Sequence, residues 1–425
     1  RQDRLRRAHD RGLHPLMRYY VETYGCTMNF GEGRELSEVM ASLGYEPADS
    51  ADDADVVVLN TCTVVETTEK RMLSRISELK RQGKRIVVTG CMAQVQPKRI
   101  RIRLPDSPVV RFEEYGRFGE IVEGCYGRAG SPIRLETGSD AILPIAQGCL
   151  GHCSYCITKF ARGDLRSYPA DTLLARFDGF LAGGAREILI TAQDTSSYGR
   201  DIGTDLPALV RSMLQRDGEY RIRLGMTNPD SLSRVVDGIL EAMDDDRMYR
   251  FVHIPVQSGS DSVLRGMRRK YTVEGFMELV DTLRAGCPDI SIATDLICGF
   301  PGETDEDHER SVDLIRELRA DTVNITRFSA RPGTDAASME QVHGRISAER
   351  SAELTRVKNE TELDVNAAMV GRRYRALATE SGKDGTILRT GNYRPVVVRD
   401  AVPLGTFVDV EVTENRPTYL LGKLV

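Results

Sequence analysis

The chain has 425 residues, 40% of them hydrophobic and 28% charged, with a net charge of −5. That length predicts two to four domains of roughly 100–200 residues, and the composition excludes a disordered or fibrous chain. No apolar run approaches the ~20 residues of a membrane span and no apolar signal core opens the chain, so the expectation is a cytoplasmic protein that does not enter a membrane.

The first sixteen residues hold five Arg against two Asp, a balance of 5 − 2 = +3, and read as a solvated basic tail. Position 1 is not Met, so the natural start is expected elsewhere or trimmed. Residues 17–130 then alternate strand-like and helix-like patterns. MRYYVETYG (17–25), ADVVVLNTC (54–62) and KRIVVTGC (84–91) are β-rich runs, separated by helical stretches such as 33–45 and 67–83. That order predicts a parallel, doubly wound α/β domain. Each strand runs into a cysteine, giving Cys26, Cys62 and Cys91 with 35 and 28 residues between them. Carboxyl ends of parallel strands share one sheet edge, so the three thiols are expected to converge there. Each also lies near a helix N-terminus, which favours the thiolate.

Residues 135–368 show six further strand-like runs, at 142–147, 187–193, 221–227, 250–256, 290–299 and 322–329, separated by amphipathic stretches. Six such repeats predict an open (β/α)6 barrel, a TIM barrel short of two units, with its chemistry at the carboxyl ends of the strands. The first run leads into IAQGCLGHCSYCITK, where Cys149, Cys153 and Cys156 have C-x3-C-x2-C spacing. Three thiolates so placed suit three irons of a cubane iron–sulfur cluster, leaving the fourth iron open. A structural zinc site instead closes with four N or S ligands. Cys125, Cys287 and Cys298 form no set and read as incidental thiols.

Residues 369–425 read as short alternating strands with glycine punctuation, a small antiparallel β-barrel. From 371 onward nine Lys/Arg stand against six Asp/Glu, 9 − 6 = +3. Tyr374, Tyr393 and Phe407 are expected to be available for base stacking, so the barrel is a candidate RNA binder. The KRIRIR run at 98–103 alternates charge with Ile and reads as a solvated edge. Arg162 and Arg331 are candidates to meet a carboxylate or phosphate.

The cysteine triplet with Tyr155 before its last member resembles the radical S-adenosylmethionine (SAM) superfamily. With ETYGCTMN, LNTCTV, GCLGHCSYCITKFARGDLRSYP, LGMTNP, HIPVQSGSD, ATDLICGFPGET and RFSARPGT, the chain from about 18 to 425 resembles the methylthiotransferases. Within them it is most similar to the archaeal and eukaryotic branch acting on N6-threonylcarbamoyladenosine-37 beside the tRNA anticodon. The resemblance implies a TRAM-type C-terminal barrel and two [4Fe–4S] clusters. Cys26, Cys62 and Cys91 would hold the auxiliary one; Cys149, Cys153 and Cys156 would hold the SAM-cleaving one. It further implies two SAM molecules per product: one methylates a sulfur at the auxiliary cluster, and one yields the 5′-deoxyadenosyl radical that takes hydrogen from adenine C2. An aromatic C–H is too weak an acid for a side-chain base, so this chemistry belongs to a cofactor.

Tyr155, Gln193, Thr227, His253, Gln257 and Asp295 are the candidate SAM contacts. Partners implied are the tRNA anticodon loop and an electron donor such as ferredoxin or flavodoxin. The sulfur donor is not specified, and nothing beyond a monomer is indicated. Isopentenyladenosine tRNA and an aspartate of ribosomal protein S12 stay open as substrates, the latter because AQDTSSYG suits that branch. An iron–sulfur RNA-binding protein without turnover is the reading from a different class.

Overall fold

A computed structural model describes residues 17–64, 66–383 and 385–425, with the side chain at 66 also left out; the basic tail at 1–16 lies outside the described residues. The chain divides into two compact units. The first comprises the residues up to Glu136 together with Ile157–Gly163, and the second comprises Thr137–Cys156 with Asp164–Val425.

The first unit contains β1 (Arg18–Thr23), α1 (Thr27–Ser42), β2 (Glu46–Pro47), β3 (Val56–Thr61), α2 (Glu66–Arg81), β4 (Arg85–Gly90), α3 (Cys91–Val95), α4 (Pro97–Arg101), α5 (Phe118–Tyr126) and the returning α6 (Ile157–Arg162). Its sheet is parallel throughout in the order β2-β1-β3-β4. Side chains alternate across a strand, and the β3 run is apolar on both faces because both are covered. Val57 and Leu59 pack with Met72, Ile76 and Leu79 of α2. Val56 and Val58 pack on the opposite face with Leu36 and Met40 of α1 and Phe118 of α5. The expected doubly wound domain is what forms. The first four residues of the KRIRIR run lie in α4 and the last two follow it; Ile100 is buried, whereas Ile102 is 79% exposed.

The second unit continues with β5 (Asp140–Pro144), β6 (Ala146–Gln147), β7 (Arg166–Ser167), α7 (Ala170–Ala182), β8 (Glu187–Thr191), α8 (Leu206–Leu214), β9 (Arg221–Leu224), α9 (Pro229–Leu232), α10 (Val236–Met243), β10 (Phe251–His253), α11 (Asp261–Gly266), α12 (Val273–Gly286), β11 (Ser291–Cys298), α13 (Asp305–Leu318), β12 (Thr322–Arg327) and α14 (Gly344–Ala367). All six expected strands form and run parallel, as β5-β8-β9 and β10-β11-β12. Between β9 and β10 the pairing falls to isolated bridges at Ile222–Met248 and Met226–His253. These are the two shortest of the six strands, and a short strand closes few ladder bonds. Beneath both sheets lies one core including Leu143, Ile190, Leu224, Val252, Ile292 and Val323.

The chain ends in β13 (Arg373–Gly382), β14 (Gly385–Arg389), β15 (Pro395–Val398), β16 (Phe407–Asn415) and β17 (Leu420–Leu424), a closed barrel in the order β13-β14-β15-β17-β16. Four of its pairings are antiparallel, but β15 and β17 pair parallel, Val396 opposite Leu420. The antiparallel expectation therefore fails at the closing seam, where β16 turns the chain back before β17.

The aromatic residues expected to stack on RNA are otherwise engaged. Tyr393 packs against Tyr249 and Phe251 at centroid distances of 4.8 and 5.0 Å, with the Arg223 and Arg389 guanidiniums over its ring. Phe407 lies under Arg221 and Arg375, and Tyr374 packs against the barrel's own core. Buried Arg394 donates to the Asp321 carbonyl at 2.6 Å and to the side chain of Asn366. These contacts fasten the small barrel to the larger one, a role that favours aromatic–aromatic and cation–π packing.

Candidate functional site

Three of the four strands of the first sheet, β1, β3 and β4, lead to a cysteine at the same edge. Cys26 is the N-cap residue of α1, Cys62 directly follows β3, and Cys91 opens α3 after β4. Buried Asn29 ties these ends together: its Nδ2 donates to the carbonyls of Tyr24 at 2.8 Å and Thr61 at 3.1 Å, while Asn60 Nδ2 donates to the Asn29 carbonyl. The turn before Cys26 requires Gly25, whose φ is +117° and whose Cβ, were there one, would stand 2.9 Å from Cys62 Cβ.

Cys26 is exposed; Cys62 and Cys91 are buried. Burial pushes the Cys91 thiol up to about 12; nearby Arg162 opposes that rise, and Cys62, Glu32 and Cys26 add to it. Burial likewise raises Cys62, with Cys26 adding to the rise. The expected preference for thiolate at a helix N-terminus is outweighed by desolvation at Cys62 and Cys91. Such thiols ionise when a metal takes them.

Arg162, expected to meet a carboxylate or phosphate from outside, is instead enclosed within the first unit. It is the last residue of α6, and its side chain is 1% exposed. It forms a bidentate pair with Glu32, Nη2–Oε2 being 2.9 Å, and also donates to Asn29 Oδ1 at 2.9 Å. Its Nη2 stands 3.7 Å from Cys91 Sγ, and its guanidinium lies 4.3 Å from the Phe112 ring centroid.

The second cysteine set is local. Residues 148–156 form a loop after β6, and β6 pairs with β7 to close its base, Ala146 opposite Ser167. Gln193 Oε1 accepts from the Gly148 amide at 2.7 Å. Ser154 donates from its hydroxyl to the Gly266 carbonyl at 2.7 Å and from its amide to Met267, while its carbonyl accepts from Ala336. Within the loop the Gly151 amide donates to Cys149 Sγ at 3.2 Å; a Cβ at Gly151 would lie 3.3 Å from Cys149 Sγ and 3.8 Å from Cys153 Sγ. Burial raises Cys149 to about 11, with Asp194, Cys156 and Cys153 adding to the rise.

Arg269, which sequence reasoning missed, donates to Cys153 Sγ at 3.2 Å. Its other partners are Tyr271 Oη, Asn228 Oδ1 and the Pro255 carbonyl. Asp194 was missed as well. It accepts from the hydroxyls of Ser196, Ser197 and Ser231 at 2.7, 2.5 and 2.7 Å. Asp194, Asn228, Ser231, Arg269 and Cys153 help line a cavity of about 290 Å³. The serines of DTSS beside Asp194 were the available signal.

Of the expected SAM contacts, Tyr155 packs edge-on to Phe300 at 6.3 Å, and burial raises its hydroxyl. Gln193 holds the loop as described. Thr227 donates its hydroxyl to the His253 carbonyl at 2.8 Å. Gln257 has φ 75° and bridges to β11 through its backbone, N to the Asp295 carbonyl at 2.8 Å. His253 Nε2 and Asp295 Oδ1 stand 2.9 Å apart, and Asn324 also donates to Asp295. Burial would raise the Asp295 carboxyl, yet its bonds to His253 and Asn324 and the charges of His253 and Arg269 leave it below the usual range. Gln193 and Thr227 thus bond through their side chains to neighbouring backbone, Gln257 bonds through its own backbone, and His253 and Asp295 form a half-buried pair.

Among the described residues no three His, Cys, Asp or Glu side chains converge as ligands of a single metal ion. A side chain at Gly151 would crowd the Cys149 sulfur, so the residue there leaves room beside it.

The segment models agree with this layout. Residues 18–110 match an uncharacterised protein family, UPF0004, residues 143–315 the radical SAM superfamily, and residues 367–425 the TRAM domain. Among solved structures, the radical SAM methyltransferase TsrM from Kitasatospora setae with tryptophan and a SAM analogue is similar at TM-score 0.56 and 14% identity, covering 76% of this chain and 75% of that one. The cobalamin-dependent radical SAM enzyme OxsB with aqua-cobalamin is similar at TM-score 0.51 and 12% identity, covering 80% and 56%. The fold is that of a radical SAM enzyme.

A protein of Archaeoglobus fulgidus named a probable threonylcarbamoyladenosine tRNA methylthiotransferase is 39% identical over 96% of this chain and 99% of its own length. The Pyrococcus horikoshii protein of the same name is 36% identical over 96% and 100%, and the human threonylcarbamoyladenosine tRNA methylthiotransferase is 35% identical over 96% and 74%. The chain belongs to the threonylcarbamoyladenosine tRNA methylthiotransferases.

Proposed function

We propose that this chain converts N6-threonylcarbamoyladenosine-37 of tRNA to its 2-methylthio derivative. Cys26, Cys62 and Cys91 would hold one [4Fe–4S] cluster and Cys149, Cys153 and Cys156 the other. The observation that carries this reading is the presence of two thiol triplets, one collected from three strand ends and one in the loop after the first strands of the half-barrel. When bound, the clusters and SAM supply the electron, the 5′-deoxyadenosyl radical and the methylthio sulfur.

The chain's own residues bind and orient. Asp194, fixed by three serine hydroxyls, offers an oriented carboxylate to an ammonium group in the cavity beside Cys153. The His253–Asp295 pair offers polar groups for a ribose or adenine. Residues 17–130 would carry the auxiliary site, 135–368 the radical site and 369–425 the RNA contact. That contact would use the outer surface of the small barrel, where Tyr419 is 38% exposed, in place of the three engaged aromatics. A low-potential one-electron donor such as ferredoxin or flavodoxin and a reducing, cytoplasmic setting complete the reading, with the chain acting as a monomer.

Mass spectrometry of tRNA nucleosides from a deletion strain tests it. The expected result is loss of the 2-methylthio derivative with accumulation of its precursor. Normal levels of that derivative together with altered ribosomal protein S12 would overturn it.

A further inference from the structure

Each cysteine set has an arginine pointing a guanidinium N–H at one sulfur, buried Arg162 at Cys91 and half-buried Arg269 at Cys153. The two differ in what neutralises them. Arg162 is gripped by the Glu32 carboxylate through both nitrogens, and the pair is 1% and 5% exposed, so its charge is cancelled on the spot. Arg269 has a phenol, an amide oxygen, a backbone carbonyl and the sulfur as hydrogen-bond partners, none of them a carboxylate. Two carboxylates also stand near the Cys149 set: Asp295, bonded by His253 and Asn324, feels the Arg269 charge, and Asp194, held by three serines, acts on Cys149.

Adding an electron to a cluster adds negative charge, which a neighbouring cation and N–H···S bonds favour. Potential therefore rises with uncompensated positive charge and with hydrogen bonds to sulfur.

We propose that Glu32 and Arg162 are positioning residues of the auxiliary site, and that neutralisation of Arg162 by Glu32 holds its cluster at a lower reduction potential than an unpaired Arg162 would give. This rests on the two-cluster reading above. Deletion of either partner changes the auxiliary potential in opposite directions. Without Glu32 an unpaired cation faces Cys91; without Arg162 the hydrogen bond and the cation both go.

The test is an EPR-monitored titration with dithionite, without SAM, on the full chain carrying C149A/C153A/C156A so that only auxiliary iron is read. Adding E32Q is expected to raise the midpoint by an amount equivalent to at least tenfold in the reduced-to-oxidised ratio, about 59 mV for one electron. Adding R162M is expected to lower it. R162K, which keeps the ion pair, should retain iron and lower the midpoint by less, so a misfolded R162M does not hide the answer. Iron loss in E32Q and R162K with an unchanged midpoint in the remaining clusters would overturn the proposal in favour of a purely structural pair. A triple-alanine protein that binds no iron would instead overturn the two-cluster reading itself.

Discussion

The two thiol triplets reach similar ends by opposite means. The first draws Cys26, Cys62 and Cys91 from three strand ends spread over 66 positions of sequence, and the sheet that aligns those strands buries two of the three sulfurs. The second places Cys149, Cys153 and Cys156 within eight residues, leaves all three half-buried, and borrows its rigidity from elsewhere in its unit. A dispersed site inherits order from the hydrophobic core that pairs its strands. A compact site needs dedicated props, here Gln193, Ser154 and the carbonyls of Gly266 and Met267.

The largest effect should come from the cysteines themselves. C149A is expected to abolish release of 5′-deoxyadenosine after anaerobic reconstitution and to cut iron from about eight to about four per chain. C62A should lose the same share of iron and all methylthiolation while still cleaving SAM. Identical behaviour of the two variants would erase the division between the sites. Next in size is the backbone. G25A forces a side chain into a φ of +117° and against Cys62, costing roughly 2–3 kcal/mol and selectively depleting auxiliary iron. G151A meets only sulfur at 3.3 Å without a positive φ, so denaturant unfolding should show well under half that loss.

A smaller effect concerns the props of the compact loop. Asp307 accepts from Ser260 and Ser262 at the start of α11 and from the Thr304 amide, and α11 ends at Gly266, which holds Ser154. Burial alone would raise the Asp307 carboxyl, but these bonds pull it from 3.8 to about 2. A depressed carboxylate stabilises the fold above its unfolded value and loses that contribution as pH falls from there through the folded value. D307N should therefore cost about 2 kcal/mol at neutral pH and flatten acid unfolding between about pH 4 and about pH 2. S154A, removing one hydroxyl from the same chain of contacts, should cost about 1 kcal/mol, and the gap between the two in thermal melts measures how far the support extends.

Strands and cysteines were legible because period-2 apolar runs and thiol spacing are local properties. Every expected strand formed, and the thiols fell where strand ends put them. The arginines were not legible. Arg162 meets Glu32, 130 positions away, and a guanidinium looks the same in sequence whether it awaits a phosphate or is sealed in an ion pair. Tyr393 was read as a stacking surface for the same reason: its aromatic partners, Tyr249 and Phe251, lie on a different barrel. The parallel β15–β17 seam depends on which strands become neighbours on closure, and alternation alone does not encode that.

The return of Ile157–Gly163 to the first unit bears on the order of synthesis. Domains generally fold as they leave the ribosome, N-terminal first. Here the N-terminal α/β unit emerges without α6, and Glu32 has no arginine to meet until residue 162 has been translated. By then the C-x3-C-x2-C segment has also been made. The pocket that Arg162 shares with Cys91 therefore cannot be complete before the second set of thiols has been made.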